Sequence, residues 1–245
     1  MPAQARDEIE RGMAAYQWYH TLELADGVVT PGQYDHRTVL GHYGLPARLD
    51  GKTVIDVGPA QGFFAFELER RGAARVVTVE LPAWSSHDAG AALKARFGAE
   101  HDRQAESYLH GALEFAIRAR GSSVERQFGN IYDLRPETVG VFDLSFCGSL
   151  LIHLTDPLRA LAALRSVTRE MAIVATVVDP GDDTVPRALF YGTGDGQAFW
   201  APNMACLENW LLCSGFRRVE RVGLFELASR DGVLRSPHGV VHAYP

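Results

Sequence analysis

Lysine is almost missing from this chain. Its 245 residues include two, Lys52 and Lys94. Acids outnumber bases, with 30 Asp and Glu against 24 Lys and Arg, for a formal net charge of −6. A surface built to grip a long polyanion carries the opposite balance, so nucleic acid is not the expected partner. Cysteine is scarce too: Cys147, Cys206 and Cys213. The last two sit on one predicted helix, roughly 10 Å apart along its axis, which is too far for a disulfide. No metal-ligand spacing is present, and a reducing cytoplasm is the expected setting. There is no apolar run of about 18 residues and no charged-then-apolar start, so neither a membrane span nor a secretory leader is expected. Repeats and low-complexity tracts are lacking as well. What is there is an apolar fraction of 47%, enough for the core of one large domain or one domain with an appendage.

The chain is organised around Val54-Ile-Asp-Val-Gly-Pro-Ala-Gln-Gly-Phe-Phe64. Val54 to Val57 is an apolar, β-branched run of the kind that makes a buried parallel strand. Gly58 stops it. After Gly62, residues 63–71 show helical periodicity, with Phe63, Phe66 and Leu68 set among Glu67, Glu69, Arg70 and Arg71. Strand, glycine turn and helix in that order make a nucleotide-type corner, with free N–H groups at the helix start. The dinucleotide fingerprint fails, because Ala60 and Phe63 stand where glycines are needed. The phosphate loop with its Gly-Lys-Ser/Thr ending is also absent. What is present is Asp-x-Gly-x-x-x-Gly. A carboxylate there, Asp56, would repel a pyrophosphate and would suit a ligand carrying an ammonium and a sulfonium. A second apolar run, Arg75 to Val79, ends at Glu80. An acid at that strand end can accept both hydroxyls of a ribose.

These residues resemble the class I S-adenosylmethionine (SAM)-dependent methyltransferases, although Ala60 stands where their commonest pattern has glycine. The leader extends the likeness. Trp18-Tyr-His-Thr-Leu-Glu-Leu24, then Gly27-Val-Val-Thr-Pro-Gly32, then Tyr34-Asp-His-Arg37, is similar to the wobble-uridine tRNA carboxymethyltransferases and their smaller relatives. So are Leu151-Ile-His153, the stretch from Pro202-Asn203 through Leu207 to Trp210-Leu211, and Gly215-Phe216. Relatives of that kind include methyltransferases of small, often secondary, metabolites.

The resemblance implies an α/β fold: a doubly wound, mostly parallel seven-stranded sheet of Rossmann-like methyltransferase type. A helical N-terminal extension over 1–50 would precede a SAM-binding domain over 51–245. It implies SAM as cofactor and S-adenosylhomocysteine (SAH) as product. Cofactor contacts would come from Asp56, Gly58, Gly62, Phe64, Glu80 and Leu81, with Asn130 and Ile131 flanking the adenine. Carbonyls around Cys147 and Gly148 would take the methionine ammonium. Asn130 sits where an aspartate is common, and Asp133 is the alternative.

His153 follows strand four, where the methyl acceptor should lie. An imidazole there can take a proton from a hydroxyl or an amine, or it can simply bond a carbonyl and shape the loop. His20, His36 and Tyr19 are weaker base candidates. Tyr19, His20, Tyr34, Arg37, Tyr191 and Trp200 are the candidate acceptor contacts. The aromatic leader reads equally as a lid or as packed core. The glycine-rich stretch 179–203 reads as a substrate lid, and its Asp179, Asp182 and Asp183 would meet an ammonium acceptor.

Periodicity predicts helices over 3–16, 34–43, 86–97, 100–120, 156–165 and 204–212. Strands are expected over 123–128, 141–146 and 171–178, with a final hairpin of 216–224 and 239–243. A homodimer through the first helix stays open. The favoured function is a methyltransferase acting on a small molecule with ordinary SAM. One alternative is a tRNA-modifying enzyme using a carboxylated SAM, whose extra carboxylate needs a basic partner. The other is a non-catalytic SAM-binding module.

Overall fold

A computed structural model describes residues 3–194 and 196–245. Seven strands form the central sheet: β1 (Thr53–Val57), β2 (Arg75–Glu80), β3 (Glu125–Phe128), β4 (Phe142–Gly148), β5 (Thr168–Val177), β6 (Arg218–Ala228) and β7 (Arg235–Tyr244). Their order across the sheet is β6-β7-β5-β4-β1-β2-β3. β1 to β5 pair in parallel, while β7 runs antiparallel to both β5 and β6. The chain steps outward from β1 to β3 and then crosses to β4 on the other side of β1. That switch point leaves a crevice above the strand ends. This is the doubly wound, mostly parallel sheet expected of a Rossmann-like methyltransferase fold.

Alternation along the strands builds two cores. Val54, Val76, Leu144, Phe146, Ile173 and Val240 face one side. Ile55, Val77, Phe142, Ala172, Val174 and Val241 face the other. Five longer helices cover them: α1 (Ala3–Met13), α2 (Phe63–Arg70), α3 (Ala112–Arg120), α4 (Pro157–Ser166) and α5 (Met204–Cys213). The α4 start has both its signals. The Asp156 side chain accepts from the Arg159 amide, and Pro157 occupies the first helical position. Asn203 caps α5 in the same way through the Cys206 amide.

The leader packs into the first core rather than standing apart from it. Trp18, Leu22, Leu24, Tyr43 and Leu49 are buried there with Phe63, Phe66 and Leu113. A short ribbon, Glu23–Ala25 with Val28–Val29, falls where no strand was expected. The helix expected over 34–43 is instead two 3-10 turns, His36–Thr38 and Leu40–Tyr43, ended by Gly44 at φ 58°. The helix expected over 86–97 shrinks to Ala91–Lys94, preceded by a turn at Trp84–Ser86. None of the side chains in that stretch is fully buried, so little packing holds a longer helix there. The expected helix over 100–120 is interrupted by a π-helical segment, Glu106–Gly111, which leads into α3. The 179–203 stretch carries its own ribbon, Ala188–Phe190 against Trp200–Pro202. Among the described residues no helix is long and apolar enough to cross a membrane.

Candidate active site

A cleft in two connected halves lies above the C-terminal ends of β1, β2 and β4. One half is walled by Val79, Leu81, Asn130, Ile131 and Leu154. The other is walled by Tyr19, His20, Ala60, Trp84, Tyr108, Gly148, Ser149 and Gln197. Gly58, Glu80, His87, Asp88, Leu150 and His153 belong to both. Among the described residues no lysine or arginine lines either half.

The glycine loop forms the floor. Gly58 sits at φ 75°, and its amide donates to the Val79 carbonyl at 2.9 Å, tying the loop to β2. Ala60 adopts φ 47° without being a glycine, a left-handed conformation that costs an L-residue about 1–2 kcal/mol. The amides of Leu81 and Ala60 both donate to the Glu80 carboxylate. Burial outweighs these bonds and pushes the Glu80 carboxyl up to about 7.

Asp56 does not line the cleft; it lies beneath the loop, 1% exposed. The Ala65 amide, in the first turn of α2, donates to it, while its Oδ2 is buried without a partner. Burial, and then the nearby charge of Glu80, push Asp56 up to about 8. The two acids thus crowd each other, and only Glu80 meets the cleft.

Gln61 is the residue of this loop that sequence reasoning missed. It is completely buried. Its amide oxygen accepts from the Tyr19 and His20 amides at 2.6 and 3.1 Å. Its amide nitrogen donates to the Gln17 and Tyr108 carbonyls at 2.9 and 2.6 Å. One side chain therefore fastens the leader and the π-helical segment to the glycine loop. Its signal in the sequence is nil, because the motif leaves that position unspecified.

Two histidines present one ring nitrogen each. The His153 Nδ1 lies 2.9 Å from the Gln197 carbonyl, so it carries the proton and donates. Its Nε2 stays free as an acceptor. Although His153 is exposed at the mouth of the cleft, the protein packed around it partly desolvates the ring and lowers its pKa below the ordinary imidazole value. His87, also missed, has its Nδ1 3.1 Å from the Trp84 carbonyl and its ring 4.6 Å from that indole. Desolvation chiefly lowers its pKa, with a smaller contribution from His153. The adjoining Asp88 fixes this segment. Its Oδ2 accepts from the Tyr132 hydroxyl at 2.6 Å and from the Thr155 amide and hydroxyl at 2.7 Å each. Burial alone would raise the Asp88 pKa, but these bonds hold it below the usual range.

Of the weaker base candidates, Tyr19 and His20 reach the cleft and His36 does not. Burial raises the Tyr19 phenol far above its ordinary pKa and depresses His20 well below its own. His36 is buried against Phe63 and Phe64, bonds the Tyr43 hydroxyl at 3.1 Å, and is driven down to about 3.

Other expected contacts lie elsewhere. Tyr34 packs behind Tyr19, ring to ring at 4.9 Å. Arg37 is exposed and turned onto the Asp35 carboxylate, with bonds of 2.7 and 2.6 Å. Tyr191 is exposed, and Trp200 lies tilted against Phe190 while its indole donates to the Thr155 carbonyl. Among the described residues of the 179–203 stretch, Gln197 reaches the cleft. Phe64 belongs to the core, stacked on Phe146 at 4.2 Å. Gly62 starts α2, where a Cβ would press on Leu113 and Phe66. The Cys147 side chain is buried, and the cleft is reached by the next residue, Gly148. Asp182 and Asp183 bond Thr184 and the Ala205 amide, and Asp179 pairs with Arg187.

No family model matches the chain. It is similar to a tRNA U34 carboxymethyltransferase of Actinobacillus succinogenes, 27% identical over 207 residues, spanning 83% of this chain and 56% of that protein. A tRNA U34 carboxymethyltransferase of Campylobacter hominis is 25% identical over 177 residues, spanning 70% of this chain and 53% of that one. The chain thus spans about half the length of these curated relatives. Among solved structures, the N-terminal domain of EvdMO1 in the presence of SAH and D-fucose superposes with a TM-score of 0.62 at 17% identity, covering 100% of this chain and 97% of that one. The Burkholderia thailandensis 1,6-didemethyltoxoflavin-N1-methyltransferase, with 1,6-didemethyltoxoflavin and SAH bound, gives a TM-score of 0.54 at 13% identity, covering 85% and 76%. These likenesses establish the fold.

Proposed function

We propose that this chain is an SAM-dependent methyltransferase, in the branch that includes the tRNA U34 carboxymethyltransferases, and that it moves a methyl group to a small-molecule acceptor by in-line displacement. The observation that carries this reading is the charge of the cleft. Glu80 stands at the tip of β2, crowded by Asp56, and no lysine or arginine lines the walls. Two acids with raised pKa values and no cation beside them are relieved by a ligand of fixed positive charge. A pyrophosphate would find no partner there.

The residues fit such a ligand. Asn130, Ile131 and Leu81 wall the half suited to an adenine, and Glu80 suits the ribose hydroxyls. Gly58 and the carbonyls around Cys147 and Gly148 suit the amino-acid end. Asp56, Gly62 and Phe64 hold the loop and α2 in place from beneath. When bound, SAM supplies a methyl group already activated by the sulfonium. The protein then has to orient the acceptor and exclude water, and positioning of this kind is worth roughly 7–11 kcal/mol. The His153 Nε2 receives the proton that the acceptor's O–H or N–H gives up. Tyr19 and His20 roof the cleft, so the leader acts as cover as well as core.

The tRNA reading draws on the names of the curated relatives. The missing cation speaks against it: the extra carboxylate of a carboxylated donor needs a basic partner, and Arg37 is engaged by Asp35 away from the cleft. One solved neighbour was crystallised in the presence of D-fucose and the other has 1,6-didemethyltoxoflavin bound, which supports the small-molecule reading. The deciding experiment incubates the protein with methyl-labelled SAM and metabolite extracts and identifies the labelled product by mass spectrometry. Label in a small product supports the proposal. Binding to tRNA that falls steeply with salt would favour the second reading. Tight uptake of NAD or ATP with none of SAM or SAH would end both.

A further inference from the structure

Beside the cleft lies an open groove between the turn after α1 and the helical stretch that precedes α3. It is lined by Gln17, Trp84, His101, Gln104, Ser107 and Tyr108. Trp84 and Tyr108 also line the cleft, so the two spaces share a wall. We propose that this groove is a second acceptor subsite, and that it takes a neutral, polyhydroxylated ring: the glycosyl part of the molecule whose other end meets His153. Calling the ligand an acceptor rests on the methyltransferase reading; the groove's chemistry does not.

The argument begins with charge. The chain is 22% charged residues, yet none of the described side chains lining the groove is Lys, Arg, Asp or Glu. Among the described residues, the charged neighbours Glu100, Asp102 and Arg103 are engaged with other residues. The Asp102 carboxylate accepts from the Ser85 amide and hydroxyl at 2.9 and 3.0 Å, and Arg103 is paired with Glu100. Among the described residues of the groove, an anionic ligand would meet no cation, and a cationic one no carboxylate. The polar groups present are two amides, a hydroxyl, a phenol and an imidazole. Each can donate and accept, which matches a ligand whose hydroxyls do the same. A wholly apolar ligand would cover the amides of Gln17 and Gln104 without bonding them. The indole of Trp84 adds a flat apolar face, against which the C–H face of a pyranose can lie.

The bridging residues set the direction. Trp84 and Tyr108 face both spaces, so an acceptor whose reacting atom lies at His153 would reach the groove past these two side chains. Gln61 holds the Tyr108 and Gln17 backbones, so both walls are referenced to the cofactor loop. The subsite and the reacting centre are therefore kept at a fixed separation, as a two-part acceptor requires.

The test uses methyl β-D-glucopyranoside, its 6-deoxy analogue and AMP as probes. Saturation-transfer NMR and tryptophan fluorescence read binding to the full chain, with and without SAH. With SAH occupying the cleft, the glycosides are expected to bind and AMP not. Gln104→Ala is expected to weaken glycoside binding about fivefold, the loss of one neutral hydrogen bond, with SAH affinity unchanged. Trp84→Ala should abolish the glycoside signal, and thermal melting checks that each variant folds. Glycosides that fail to bind, bind equally well to both variants, or are outcompeted by AMP would overturn the proposal. A protein that binds glycosides but not SAH would keep the subsite and sink the methyltransferase reading instead.

Discussion

The His153 Nδ1 donates to the main-chain oxygen of Gln197, 2.9 Å away, and this one bond decides which ring nitrogen is free for chemistry. It also ties the loop after β4 to the loop after β5. His153→Ala is predicted to lower kcat about 100-fold, the low end for a general base, with SAM affinity within about twofold of the parent. His153→Gln should not rescue it. Because desolvation lowers the His153 pKa, the ring stays neutral below the ordinary imidazole range. The acid limb of the kcat profile should therefore fall below pH 6.5. Unchanged turnover in His153→Ala would reassign the residue to shaping the loop.

The Asp56 and Glu80 pair predicts a pH signature. Folding raises these carboxyls to about 8 and about 7 from ordinary values of 3.8 and 4.5. A raised carboxyl favours the folded state most below its ordinary pKa, and that contribution disappears as pH climbs through the folded value. The protein without ligand should thus lose stability progressively from about pH 4 to about pH 8, measured by urea unfolding. Asp56→Asn should flatten that slope.

Ligand binding should run the opposite way. A cationic ligand favours the ionised form of Glu80, so SAM should bind more tightly at pH 7.5 than at pH 6. Calorimetry in two buffers of different ionisation enthalpy should show proton release. Glu80→Gln should abolish the pH dependence. SAM affinity that is flat across this range would show that Glu80 does not sense the ligand.

Gln61→Leu is predicted to cost about 2–4 kcal/mol, because it strands two buried amides and two carbonyls at once. The leader should become cleavable near residues 17–20 in limited proteolysis before the rest of the chain unfolds. Cleavage no faster than in the parent would mean that the leader is held by its apolar contacts alone.

Ala60→Gly should stabilise the protein by about 1 kcal/mol, since glycine adopts the left-handed conformation without the Cβ penalty. Denaturant unfolding measures it. SAM affinity should hold, because the Ala60 contribution to Glu80 is its backbone amide.

The sheet and the floor of the site were legible because they depend on local pattern. Val54 to Val57, Gly58 and Gly62, and the acid closing Arg75–Glu80 carry period and punctuation that survive in any context. Asp56 shows the limit of that reading. Its spacing announced an acid at the loop, but whether it faces ligand or lies beneath depends on how α2 and β2 close around it. Gln61, His87 and Tyr108 were invisible for a related reason. They come from three separate stretches, and their roles exist only once Trp84–Ser86 and the π-helical segment have folded against the leader. The stretch over 86–97 misled because its spaced apolar residues, Leu93 and Phe97, are only half-buried, and packing rather than spacing decides how far a helix extends. Arg37 and Trp200 drew attention by type, and local partners, Asp35 and Thr155, had already claimed them.

The tip of the β6–β7 hairpin touches the leader. Ser229 bridges Tyr34, the Arg230 amide donates to the Gln33 carbonyl at 2.7 Å, and the Arg230 guanidinium reaches the Thr21 hydroxyl. During synthesis the ribosome makes the leader some two hundred residues before this clasp, counting from Thr21 to Arg230. The roof of the cleft must therefore wait, half anchored, until the far end of the chain emerges. A nascent chain stalled short of residue 229 would keep its floor and lack a latch.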